Sequence, residues 1–216
     1  MLGRLTVGGL AWLSIIQMFV VDLIVRLQWA SPYKLWHDPI SYLGITTCGR
    51  FYGQWVCSPW HEASDAAWVA AGGAGLLGAW CNIVFWSSSR FRNVGLFGVG
   101  VGSAGTMSVG LNPINERMIA HMLSAGVAVL GGALAVSFLG LAFHRADRYR
   151  CWGALGVVFA VLNLAALPLI ALAPHAVGAL ERIAMWPDLF WIMITGGIVL
   201  HGTWRGRSLP HPPRRR

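Results

Sequence analysis

The chain is short of charge. Only 11% of its 216 residues are Asp, Glu, Lys or Arg, where a soluble domain carries roughly 25%. With 56% hydrophobic residues and a mean hydropathy of +0.60, such a chain cannot cover a water-facing surface. Lipid must be its solvent. Acid is scarcer than base: eight Asp and Glu stand against sixteen Lys and Arg, a formal net charge of +8. That surplus makes no basic amphipathic face. The cations fall in short loops and a C-terminal tail between apolar runs, which reports membrane orientation, and no nucleic-acid partner is expected.

Chemical motifs are equally sparse. There is no G-x-S-x-G, no H-E-x-x-H and no two-metal carboxylate array, so no motif supplies an activated nucleophile, and no metal or cofactor is expected. Gly100, Gly102 and Gly105 match G-x-G-x-x-G, but no strand precedes them, so helix packing is the better use. The first apolar run is longer than a signal h-region and no small-residue cleavage site follows it. It reads as a membrane helix, and Met1-Leu2-Gly3 offers no myristoylation site.

What is there is a series of six apolar segments in one domain, 1–204, followed by a basic tail, 205–216. The fold class predicted is all-α: a polytopic bundle of six transmembrane helices at about 7–27, 65–86, 94–111, 118–143, 152–172 and 183–204, each long enough for a core of about 30 Å. Gly98 and Gly102 have the small-xxx-small spacing that lets two helix backbones approach. Asp22 and Arg26, at i and i+4, predict a local ion pair. Asn163 and Pro168 predict a kink in helix 5. The long loop 29–64 is rich in Trp and Tyr, which suits a membrane–water interface, and is expected to lie on the bundle as a lid.

The basic residues sort by side. The N-terminus, the loops after helices 2 and 4 and the C-terminus collect Arg4, Arg90, Arg92, Arg145, Arg148, Arg150, Arg205, Arg207 and Arg214 to Arg216, eleven of the sixteen, while the other side holds seven of the eight acids. The positive-inside rule then places both termini in the cytoplasm of a multi-pass cell-membrane protein. The long loop faces outward on this reading, so a Cys48–Cys57 disulfide is preferred over a metal site with His61, which lacks C-x-x-C support. Cys81 and Cys151 read as buried thiols.

The polar residues converge on the outward side. The segment Leu111 to His121 contributes Asn112, Asn115, Glu116, Arg117 and His121; the long loop contributes Asp38 and Ser41; the last connection contributes His175, Glu181 and Arg182. One reading is a pocket. Arg117 and Arg182 hold an anionic headgroup, with Asn112, Glu116 and Glu181 beside them, and Asp38, Ser41 and His121 are the candidates for acid–base or nucleophilic chemistry. The other reading is structural, with Glu116 paired to Arg182 and Glu181 to Arg117.

Three short segments carry a resemblance. His37-Asp38-Pro39-Ile40-Ser41-Tyr42-Leu43-Gly44, Gly110-Leu111-Asn112-Pro113 followed by His121, and Gly178-Ala179-Leu180-Glu181-Arg182-Ile183 resemble a family of small bacterial six-helix membrane proteins, the domain of unknown function numbered nine hundred ninety-eight. Asn112, where that pattern has an aromatic, and the Cys48–Cys57 insert depart from it. The resemblance implies six helices over most of the chain and no established activity. A more distant likeness to eukaryotic proteins of lipid remodelling leans the reading towards lipids by analogy. The expected function is therefore an outward pocket that binds or modifies a lipid-like molecule. The alternative is a non-enzymatic scaffold or accessory subunit with a membrane-protein partner or a second copy of itself.

Overall fold

A computed structural model describes residues 2–144 and 149–204. The expected basic-loop residues Arg145 and Arg148 and the tail 205–216 lie outside the described residues. The described chain is all-α apart from one small hairpin. Its helices are α1 (Leu2–Leu13), α2 (Ile16–Leu27), α3 (His61–Asn82), α4 (Arg90–Leu111), α5 (Met118–His144), α6 (Arg150–Leu172) and α7 (Val177–Trp204). Five stretches are long and apolar enough to cross a membrane, the first being α1 and α2 together over 26 residues. At 22 residues, α3 has the length as well, but Gly, Ala and two acids dilute its apolarity.

The first span is broken at Ser14 and Ile15. There Ile15 N–H bonds to Trp12 O at 3.2 Å and Gln17 N–H to Ser14 O at 3.0 Å, a local tightening to 3-10 spacing. Near its end Arg26 Nε meets Asp22 Oδ2 at 2.8 Å, the ion pair read from the i, i+4 spacing. Other boundaries moved. α3 begins four residues before the expected Asp65, and α7 begins at Val177 instead of Ile183, because the 3-10 turn Pro174–Ala176 feeds directly into it. Glu181 and Arg182 are thus inside a helix and not in a connection. Cys81 is buried as expected, whereas Cys151, in the first turn of α6, is exposed.

Helices adjacent in sequence pack side by side, and α7 closes the arrangement against α1. Small residues set the spacing. A Cβ on Gly98 would lie 2.6 Å from Ala135 N, and one on Gly105 would lie 2.5 Å from Ala128 N, so α4 and α5 touch backbone to backbone. At one end of the bundle Arg4 hydrogen-bonds the Trp80 carbonyl. Beside it, Trp86, Phe143 and Trp191 form an aromatic chain with ring centroids 5.4 and 5.7 Å apart.

The opposite end gathers the α2–α3, α4–α5 and α6–α7 connections. The long loop is structured. A 3-10 turn at Ile40–Gly44 buries Ile40, Tyr42 and Leu43, and strands β1 (Gly49–Phe51) and β2 (Gln54–Val56) pair antiparallel with Gly49 opposite Val56. Their two-residue turn needs positive φ at both positions, and Tyr52 (49°) and Gly53 (78°) supply it. This register sets Cys48 across from Cys57, and the two form a disulfide with Cα atoms 4.2 Å apart. Ser58 Oγ donates to Leu43 O at 2.7 Å, which ties the hairpin base to the 3-10 turn. The loop is a packed cap on the bundle, with Trp36, Tyr52, Trp55 and Trp60 exposed.

Candidate functional site

Beneath this cap is a cavity of about 160 Å³. Its polar wall is made by Ser41 of the 3-10 turn, Ser64 and Asp65 of α3, His121 of α5 and Glu181 of α7; its apolar wall includes Met122 and Val129 of α5, Leu167 and Ile170 of α6 and Met185 of α7. The wall reaches the outer surface of the bundle at Met122, which is 57% exposed. Gly126 also lines the cavity, and a Cβ there would meet nothing within 4 Å.

The 3-10 turn puts Ser41 directly against α7. Its backbone N–H donates to Glu181 Oε2 at 3.3 Å, and its Oγ donates to Oε1 at 3.2 Å and Oε2 at 3.4 Å. One helical turn into α5, buried His121 places Nδ1 2.8 Å from the backbone carbonyl of Asn112. A carbonyl only accepts, so Nδ1 carries the hydrogen, and the neutral ring keeps its lone pair on Nε2. Asp65 lines the same space, its carboxylate lying against Gly44 of the 3-10 turn. Among the described residues, no Lys or Arg lines the cavity. Among the described residues, no group of three or more His, Cys, Asp or Glu is placed to hold a metal ion.

The residues singled out from the sequence separate into two sets. Ser41, His121 and Glu181 meet at the cavity. Asp38 is buried outside it, where its carboxylate accepts from Lys34 N and Gln54 Nε2 and caps the loop. Arg182 is buried too, and its guanidinium is taken up by backbone: Nη1 donates to the carbonyls of Leu35 (3.1 Å), Asp38 (3.1 Å) and Gly178 (2.7 Å), and Nη2 to Tyr33 Oη at 2.6 Å. It fastens the long loop to α7 and is not turned towards the cavity. Glu116 and Arg117 are exposed; Glu116 accepts from Thr46 Oγ1 at 2.7 Å, and Arg117 reaches Asn112 Oδ1 at 3.5 Å. Asn112 turns its side chain back to Ser108 O at 2.7 Å and serves His121 through its carbonyl. Asn115 bonds Thr46 through both amide atoms.

Three arrangements that the sequence allows do not form. The crossed Glu–Arg pairs are absent because Glu181 is taken by Ser41 and Arg182 by carbonyls. A Ser41–His121–Asp relay is absent because Ser41 bonds to a carboxylate and His121 Nδ1 bonds to a carbonyl. The phosphate clamp of Arg117 and Arg182 also fails, since neither lines the cavity. Asp65 is the residue the sequence reading missed. At the expected start of helix 2 it would cap the helix, and the earlier start of α3 at His61 turns it into wall.

The electrostatics of the loop follow from burial. Burial holds the Tyr33 phenol above its ordinary value, outweighing the Arg182 guanidinium that pulls it down. Tyr42 is also pushed up, first by burial and then by the Glu181 carboxylate.

Comparison with protein-family models, curated proteins and solved structures returns no match to this chain.

Proposed function

We propose that the chain is a six-span cell-membrane protein, with both termini cytoplasmic, whose capped cavity binds or modifies a lipid-like molecule. The observation that carries this is the composition of one cavity. It is apolar along α5, α6 and α7 and holds Ser41, Asp65, His121 and Glu181 at the end under the cap. An acyl or ring segment has an apolar wall to lie on, and a head has acceptors to meet. His121 Nε2 is the group suited to take a proton from such a head, and Ser41 is held by Glu181 at its edge. The orientation rests on charge: Arg4, Arg90 and Arg92 sit at the end opposite the cap, and the disulfide suits an oxidising outer face. The resemblance to the six-helix bacterial family supports the count of six spans.

A second reading has its own support. Arg182 is consumed by holding the loop, and Glu116 with Arg117 leaves an exposed polar edge, as in an accessory subunit whose polar residues are structural. Purification in native lipid, followed by lipid analysis of what stays bound, separates the two. A specific lipid that is enriched with the wild type and lost with His121→Ala, at unchanged thermal stability, is the result expected. An unselective lipid profile together with a co-purifying membrane protein favours the accessory subunit.

A further inference from the structure

Resting on that lipid-pocket reading, we infer that the cavity selects an amphiphile with an ammonium head, not a phosphate. Beside the hydroxyls of Ser41 and Ser64, the polar wall is made of acceptors. Asp65 and Glu181 bring two carboxylates, and His121 brings the Nε2 lone pair left by its bond to Asn112. The hydrogen-bond donors that reach Glu181 are neutral, the Ser41 Oγ and N–H. The Arg182 guanidinium adds charge there without lining the space, and among the described residues the cavity has no Lys or Arg in its wall. Glu116 is close enough to add its charge at Asp65.

Carboxylates beside an apolar space need a proton or a cation, because an isolated charge there is expensive. Arg182 offsets part of the charge at Glu181 but spends its donors on three carbonyls and Tyr33, Arg117 stays at the exposed edge, and the Asp65 carboxylate is left to a cation from outside. An anionic head would meet like charge. A primary ammonium brings the missing charge, and donors that a carboxylate or the His121 Nε2 on this wall can accept. Size limits the ligand further. About 160 Å³ is close to the roughly 150 Å³ cavity that holds one benzene. The head and first few carbons therefore enter, and the remaining chain leaves past Met122 into the bilayer.

The test is a thermal-shift titration of the full chain in a neutral detergent with dodecylamine, dodecanol, dodecyl phosphate and ethylamine. Dodecylamine should raise the melting temperature saturably, and dodecyl phosphate should not. Asp65→Asn with Glu181→Gln, which keep shape and remove charge, should weaken dodecylamine by about tenfold or more. Gly126→Leu should abolish its effect by filling the cavity, with Gly126→Ala as the folding control. Equal stabilisation by dodecyl phosphate, or a dodecylamine shift untouched by the two neutral variants, overturns the ammonium assignment. An equal shift from ethylamine alone overturns the amphiphile in favour of a free amine. Dodecanol binding that Gly126→Leu blocks, without preference for the amine, sinks the head assignment but leaves the pocket. No probe responding to Gly126→Leu sinks both.

Discussion

Ser41 and Glu181, 140 residues apart in sequence, are joined by the Ser41 Oγ donating to both carboxylate oxygens and the Ser41 N–H donating to one. The bond fixes the 3-10 turn of the cap on the helix that closes the bundle. Glu181→Gln keeps an oxygen acceptor for Ser41 and should preserve the fold. Ser41→Ala loses one side-chain bond and should cost about 1 kcal/mol. Thermal melts in detergent compare the two. A larger loss for Glu181→Gln than for Ser41→Ala would mean that the carboxylate has a charged partner after all.

Arg182 should be the more damaging position. Truncation to Met removes the donors to the carbonyls of Leu35, Asp38 and Gly178 and to the Tyr33 hydroxyl at a buried site, although Asp38 O keeps Tyr33 Oη as a donor. A loss of about 3 kcal/mol or more is expected. Limited proteolysis reads it directly: the 29–60 loop should become cleavable in Arg182→Met while α4 and α5 stay protected. Wild-type resistance in the variant would refute the clamp.

The Cys48–Cys57 disulfide tests orientation and stability together. Closing so short a loop is worth about 3 kcal/mol in chain entropy. A membrane-impermeant maleimide applied to intact cells should label the protein only after reduction, at Cys48 and Cys57. Cys151, exposed but at the opposite end, should stay unlabelled until the cells are opened. Labelling of Cys151 from outside reverses the orientation.

Asp188 lies in α7 at 8% exposure beside the buried Asn163, and among the described residues no cation pairs with its carboxylate. The small gap it faces, about 30 Å³, is lined also by Ser103 and Thr106. A carboxylate without a cation is expensive in an apolar core. Asp188→Asn should therefore raise the melting temperature, or leave it unchanged, without altering the cavity under the cap. A marked fall in stability would show that the charge is held by a partner.

Much of this architecture can be read from residue type and spacing. Lipid as solvent follows from too few charges to cover a surface. The Asp22–Arg26 pair follows from i, i+4 geometry, the disulfide from two cysteines in one loop, and the α4–α5 contact from Gly98 and Gly102. These are local or compositional properties, and they hold whatever the neighbours are. Ser41, His121 and Glu181 were also visible, as polar residues clustered at one end of apolar segments.

Tertiary structure alone decided what each polar residue does. Glu181 and Arg182 are adjacent in sequence, yet a helix turns successive side chains about 100° apart, so one lines the cavity and the other grips the loop. Asp65 moved from cap to wall because α3 begins at His61. Arg117 and Arg182 lie outside the cavity, so the phosphate clamp expected of them has no place in its wall. Charge complementarity is set by which side chains share a space after packing, and residue type carries no record of that.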